Sequence, residues 1–362
     1  MSKRGVVVFG PSLAALSGVS THVRMLIGSD LAQDFELLHF QVGSEGRGER
    51  ALGRLLRLAL SPWQLALLLW RTKAGAVHLN TSLDPKGYWR DLVYAGVAKA
   101  MGRRVVNQIH GGWMPQAFFR GKAVRTWLLR RFLVSSDAVT VLSTAELAAY
   151  RAFDPRIRVS LVPNAIDPDG LADRPRAYNA DRPLRLVYVG RLARAKGLFE
   201  AIDALRALAR GGREFELRIA GEGAAMAELL AAVEAAGVKD RVRFLGPVFG
   251  SDKTRLWLES DVFVFPSYSE GLPYALLEAM AAGCVPVTTP VAAIPDVIRD
   301  GVHGLLVAPK DVCALALALT ALDDDRARLE RMARAARDRV LERYTIDRLA
   351  GDFRALYREC LA

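Results

Sequence analysis

The chain has 362 residues, 51% apolar and 25% charged, enough for two domains of roughly 150–200 residues each and too hydrophobic for wholesale disorder. Its formal charge of +11 sits entirely in the first half, where residues 1–180 hold 24 Lys and Arg against 13 Asp and Glu, while residues 181–362 hold 26 of each. Such a basic half suits an anionic substrate, a membrane surface or nucleic acid, and implies that the two halves meet different partners.

Short β-branched apolar runs alternate with helical segments along the whole chain. In the first half, strands are predicted at 6–9, 35–42, 76–80, 105–110, 138–142 and 158–163. The start runs from polar residues straight into the first of these and reads as a strand, not a signal sequence. Between the second and third runs, Arg47, Arg50, Arg54 and Arg57 are spaced 3, 4 and 3, one helical stripe with Leu52, Leu55, Leu56 and Leu60 beside it. Pro62 is expected to break that helix at residues 61–62, with a second helix from Trp63. The longest apolar stretch, 58–70, is 13 residues, short of the roughly 20 a membrane span needs. Residues 18–22 are expected in a loop after the first strand. The region 166–182 is crowded with Pro, Asp, Asn and Gly and reads as a linker.

The second half repeats the alternation, with strands predicted at 186–190, 216–220, 242–246, 262–266, 285–288 and 304–307. Strands apolar on both faces and separated by helices imply parallel sheets covered on both sides. Twelve would strain one sheet, so the expected fold is α/β with two doubly wound, Rossmann-like domains facing each other across a cleft. The expected boundaries are 1–168, a linker at 169–182, and 183–345, with a terminal helix at 345–362 packing back on the first domain. Ligands of such sheets bind beyond the carboxyl ends of the strands. Three cysteines, Cys284, Cys313 and Cys360, are too few and scattered for a disulfide framework or zinc site, which favours a reducing cytoplasm.

Two stretches carry the chemistry. Arg191 and Lys196 follow the strand at 186–190, beside glycines that permit close backbone approach, and suit an anion. After the strand at 262–266 come Glu270, Gly271, Leu272, Pro273, Tyr274 and Ala275, a turn into a helix whose first N–H groups form a phosphate site. Glu278 follows one turn into that helix. The pair Gly221 and Gly223 around Glu222 is a weak match to a dinucleotide fingerprint, since Met226 stands where its third glycine belongs.

The stretches VGRLARAKG (189–197), AGEG (220–223), FPSYSEGLPYALLEAMAAGCVPV (265–287) and IPDVIRDGVHGLLV (294–307) together resemble the retaining GT4-type glycosyltransferases of the GT-B fold. GVSTH (18–22), QIHGG (108–112) and VPNAID (162–167) agree with it. The likeness covers most of the chain, densely from 186 to 307. It implies transfer of a sugar from a nucleotide diphosphate sugar, UDP before GDP, with retention and without metal or other cofactor. It implies that Glu270, Glu278, Arg191, Lys196 and His110 serve catalysis or donor binding. Gly18, Glu222, Gly271, Leu272, Tyr274 and Ala275 complete the donor set. Ser17–Gly18 replaces the paired glycines common in the first loop, and Ala293–Ile294–Pro295–Asp296 replaces Gly-Ile-Pro-Glu.

Between 47 and 131 stand 16 basic and 3 acidic residues, interleaved with Trp113, Phe118, Trp127 and Phe132. Arg54, Arg57, Trp127, Arg130 and Arg131 are the expected surface for an anionic membrane and a lipid-linked or saccharide acceptor. Nucleic acid is disfavoured because no recognition motif accompanies the charge. The reading is thus a cytoplasmic enzyme peripheral on the inner membrane face, building bacterial lipopolysaccharide, capsule or exopolysaccharide. The alternatives are an inactive scaffold of the same fold or a nucleotide-sugar epimerase.

Overall fold

The computed structural model describes residues 3–43, 51–171, 178 and 181–362, with the side chains of residues 51, 52, 54 and 55 outside that description. Arg47 and Arg50 lie outside the described residues, as does much of the expected linker. Among the described residues, twelve strands form two six-stranded, wholly parallel sheets.

The first sheet has the order β2-β1-β3-β4-β5-β6, from β1 (Arg4–Gly10), β2 (Phe35–Gln41), β3 (Ala76–Leu83), β4 (Arg104–Gly112), β5 (Ala138–Val141) and β6 (Val159–Leu161). The second has the order β12-β11-β10-β7-β8-β9, from β7 (Leu184–Val189), β8 (Phe215–Ala220), β9 (Val242–Gly246), β10 (Val262–Phe265), β11 (Val285–Thr288) and β12 (Leu305–Leu306). The chain divides into two compact units, 1–165 with 346–362, and 166–345. The terminal helix Ile346–Leu361 belongs to the first unit, burying Leu349, Phe353 and Tyr357 in the cluster that holds Val6, Val8 and Val106.

Central strands are buried on both faces, as in VVVF of β1 and VFVF of β10, which is why they read as unbroken apolar runs. The strand order adds what the runs do not contain. In each sheet the chain winds one way and then reverses: β1 lies between β2 and β3, and β7 between β8 and β10. Those reversals are the switch points where the crevice at the carboxyl ends opens.

Pro62 does not break its helix, which runs unbroken from Ala51 to Thr72. A proline inside a helix leaves the carbonyl four residues back without its N–H partner. Here the Ser61 hydroxyl donates to that Leu58 carbonyl at 3.4 Å, and the Tyr94 hydroxyl donates to Ser61 at 2.8 Å. Both Ser61 and Tyr94 are buried. Ser61→Ala strands both groups and is expected to cost about 1–3 kcal/mol of stability, read from the denaturation midpoint. An unmoved midpoint would show that the helix needs no such compensation.

Candidate functional site

The loops following β7 and β10 meet at the second sheet's switch point. The Tyr268 N–H donates to the Ala195 carbonyl at 2.9 Å and the Ser267 hydroxyl to the same oxygen at 3.2 Å. Gly197, at φ +73°, lets the strands' loops close up, for a Cβ there would stand 2.0 Å from the Pro266 carbonyl oxygen. This approach brings the Lys196 ammonium to 2.6 Å from Glu270 Oε1. Glu270 is largely sheltered and Lys196 a quarter exposed, so the pair is partly withdrawn from solvent.

Beside them the Arg191 side chain is exposed, and among the described residues no acceptor lies on its guanidinium. Its backbone is held instead: the Tyr188 hydroxyl donates to the Arg191 carbonyl at 2.8 Å. Burial, with the Glu270 charge added, raises that phenol far above its ordinary range.

Pro273 caps the helix Tyr274–Ala281, whose first internal bond is from the Leu276 N–H to the Pro273 carbonyl at 3.2 Å. The N–H groups of Tyr274 and Ala275 precede it, at the end of the helix where the aligned peptide dipoles favour negative charge. Leu272 is buried beneath them, and the Gly271 carbonyl accepts from Ala293 at 3.2 Å, which fixes the turn. One turn on, Glu278 pairs with Lys253 at 2.6 Å and accepts from the Trp257 indole at 3.3 Å. Burial first, then the Glu278 charge, pushes the Tyr274 phenol well up.

Glu222 does not join this group through its side chain, which is exposed; its carbonyl accepts from the Leu192 N–H at 2.9 Å. The flanking glycines have a packing reason. A Cβ on Gly221 would stand 1.9 Å from the Gly190 carbonyl oxygen, so this loop lies directly against the one bearing Arg191.

In the first unit, Gly18 is not in a loop. Residues 18–22 open the helix Gly18–Gly28, because the Ser17 hydroxyl accepts from the Ser20 N–H at 3.3 Å and caps it. His110, near the end of β4, places Nε2 2.8 Å from Asn80 Oδ1. The Asn80 amide N donates to the Phe9 carbonyl at 2.9 Å, which orients its oxygen toward the ring. His110 therefore carries its proton on Nε2 and offers Nδ1 as an acceptor when neutral.

Behind it lie two more histidines. The His22 ring packs edge-on at 4.7 Å from His110, and His78 accepts from the Tyr357 hydroxyl at 2.6 Å while its Nε2 donates to Gln108 at 3.1 Å. Burial lowers His22 to about 4 and, with the His22 charge added, His78 to about 3. His110 is lowered well below its ordinary value, by burial and then by those two neighbours. Among these histidines the sequence singles out His110 alone; Asn80 and Tyr357 carry no local sign of their contacts, being distant in sequence from the rings they bond. Lys253 and Trp257 were also missed, although their spacing of four on the helix before β10 puts them on one face.

The basic and aromatic region presents a different surface from the one its arginines suggested. The helix Ala51–Thr72 buries Leu65 and Leu69 against the first sheet and turns Leu56, Leu60, Trp63, Leu67 and Trp70 outward. Those five, spaced 4, 3, 4 and 3, form one exposed apolar stripe on a helix with no acidic residue. Trp63 is 75% exposed and Trp70 69%. Trp113, Met114, Val124 and Trp127 are exposed on the same unit, with the Arg131 guanidinium 5.2 Å from the Trp127 ring. Arg130 is not a bare charge: it lies 3.6 Å from Asp154 and over Phe153. Arg57 is half-buried, and the Arg54 side chain is outside the described residues. Among the described residues no helix is long and apolar enough to cross a membrane, and no group of three or more acidic, His or Cys side chains is placed to hold a metal.

Two family models divide the chain between them: Glycosyltransferase Family 4 matches residues 16–169 and Glycosyl transferases group 1 matches residues 172–339. A glycogen synthase of Mycobacterium tuberculosis is 34% identical over 236 residues, 64% of this chain and 55% of that one, so the match spans little more than half that relative's length. Among solved structures, a sucrose-phosphate synthase of Thermosynechococcus elongatus superposes with a TM-score of 0.80 at 18% identity, covering 99% of each chain. Anabaena HepE, solved with UDP-glucose, gives 0.77 at 16% identity over 98% of this chain and 99% of its own. At such identities the structural likeness establishes the fold, two Rossmann-like α/β domains, and the family models establish kinship: this chain belongs to the family 4, group 1 glycosyltransferases of the GT-B fold.

Proposed function

We propose that this protein transfers a sugar from a nucleotide diphosphate sugar to a saccharide acceptor, retaining the anomeric configuration and using no metal. The observation that carries this is the second sheet's switch point. There Lys196 pairs with Glu270, Arg191 follows the same strand as Lys196, and the helix Tyr274–Ala281 begins four residues after Glu270. Breaking the bond from the sugar's anomeric carbon to the β-phosphate leaves an electron pair, and negative charge, on the departing diphosphate. Fixed cations and N–H dipoles at that point stabilise the charge as it develops. Glu270 faces the positive charge building on the ring. The acceptor hydroxyl attacks on the face the diphosphate leaves and gives its proton to that leaving oxygen. Glu278 accepts from the ribose. His110 enters as a neutral imidazole, contacting sugar or phosphate through the acceptor nitrogen that Asn80 leaves free.

UDP is the favoured nucleotide, supported by the UDP-glucose held by HepE. Calorimetric titration with UDP, GDP, ADP and dTDP in EDTA tests the donor site. One nucleotide should bind tightly and Arg191→Ala should weaken it at least tenfold, whereas no binding by any would bring the inactive-scaffold reading forward.

The acceptor side of the reading is a lipid-linked saccharide met at an anionic membrane face, within surface polysaccharide assembly in the cytoplasm. The outward stripe from Leu56 to Trp70 supports it, with Arg57, Arg71, Trp127 and Arg131 around the same unit. Tryptophans suit the headgroup layer and arginines suit anionic lipid. Each basic residue near such a surface contributes about 1 kcal/mol. Arg57→Glu with Arg131→Glu is therefore expected to lower sedimentation with phosphatidylglycerol vesicles more than tenfold, and Trp63→Ser with Trp70→Ser to lower it even at low salt. Binding that ignores anionic lipid would remove the membrane from the reading.

A further inference from the structure

Glu278 is the carboxylate assigned to the ribose, yet protein donors already crowd both of its oxygens. The Lys253 ammonium lies 2.8 Å from Oε1 and 2.6 Å from Oε2, and the Trp257 indole N–H donates to Oε2 at 3.3 Å. A carboxylate accepts about four hydrogen bonds, so three of its positions are engaged and one, on Oε1, is left.

The two donors differ in freedom. Trp257 is fully buried, edge-on to Phe263 of β10 at 5.3 Å. Lys253, one turn earlier on the helix Gly250–Leu258, is a quarter exposed and ends in a flexible chain. The indole fixes one oxygen against the sheet, and the ammonium keeps the carboxylate from rotating about that anchor.

Resting on the donor reading above, we propose that Lys253, with Trp257 behind it, is the positioning residue that lets Glu278 tell a ribonucleotide from its deoxy counterpart. The pair aims the remaining lone pair of Oε1 at one ribose hydroxyl. Without Lys253 the carboxylate turns to whichever donor is near, water included, and the hydroxyl is no longer read. A hydrogen bond to a charged acceptor is held against water only when the acceptor is already in place.

Dissociation constants for UDP, 2′-deoxyUDP and 3′-deoxyUDP test this in the wild-type protein and in Lys253→Met, Lys253→Arg and Glu278→Gln. One deoxy analogue should bind the wild type about 10- to 100-fold more weakly than UDP, the range expected for a hydrogen bond to a charged group. In Lys253→Met that ratio should fall below threefold, chiefly by loss of UDP affinity. Lys253→Arg should restore most of it, and all variants should melt within a few degrees of the wild type. Full discrimination in Lys253→Met overturns the proposal. Discrimination that survives Glu278→Gln removes the ribose from Glu278 instead, a failure of the donor assignment distinct from that of Lys253. Wild-type protein that binds all three nucleotides alike overturns both.

Discussion

Glu270→Gln is expected to lower turnover at least about a thousandfold, a loss of about 4 kcal/mol of transition-state stabilisation. The same variant should bind the donor nucleotide within about threefold of wild type. The amide oxygen still accepts from Lys196 across the 2.6 Å contact, so the placement of the cation proposed to face the diphosphate is preserved. What the variant lacks is the negative charge proposed to lie beside the sugar, which matters only as the ring becomes cationic. An interaction made mainly in the transition state appears in turnover and leaves ground-state affinity nearly unchanged. Single-turnover transfer measured alongside nucleotide titration separates the two. Near-normal turnover would remove Glu270 from the mechanism, and loss of both would make it a structural partner of Lys196.

The unit formed by 1–165 and 346–362 is expected to lose stability steeply below pH 6.5, well before the unit 166–345. Its three central histidines are held neutral by burial, His22 at about 4, His78 at about 3, and His110 well below its usual value. In the unfolded chain each takes up a proton near pH 6.5. The native state binds fewer protons there, so stability is whole above pH 6.5 and falls as the pH drops toward the lowered values. At pH 5 His22 and His78 each cost about 2 kcal/mol, and His110 adds to this in the same direction, together a large share of an ordinary domain's stability. The second unit holds only His303, which is lowered by burial but lies in a half-exposed turn. Hydrogen exchange at pH 7 and pH 5, corrected for intrinsic rates, should show protection lost in peptides from β1, β3 and β4 and kept in those from β7, β8 and β10. Equal loss in both units would place the acid sensitivity elsewhere.

That histidine cluster illustrates why the site was only partly legible. His110 stands beside two glycines at a predicted strand end, a local signal. His22 comes from a helix 88 residues earlier and Tyr357 from the far end of the chain, and nothing in the sequence near either announces the other. Lys253 is similar: a lysine on an amphipathic helix reads as a solvated charge until the fold brings Glu278 to it. Glu270 and Lys196 each stand in a motif of their own, but their contact depends on Gly197 closing against Pro266.

The sequence by itself determined the twelve strands and their grouping into parallel sheets, since burial on both faces writes an apolar run that needs no partner to be read. It also determined the family motifs, because Arg191, Lys196 and Glu270 follow their strands within a few positions. The tertiary structure decided the strand order, and with it a switch point in each sheet. It decided that Pro62 stays within its helix, through a hydroxyl supplied by Ser61 and a second from Tyr94. It decided, too, which leucines of that helix face outward, and so which apolar surface is left exposed. Periodicity is set by neighbours along the chain, whereas strand order, exposed faces and ion-pair partners are set by segments tens to hundreds of residues apart.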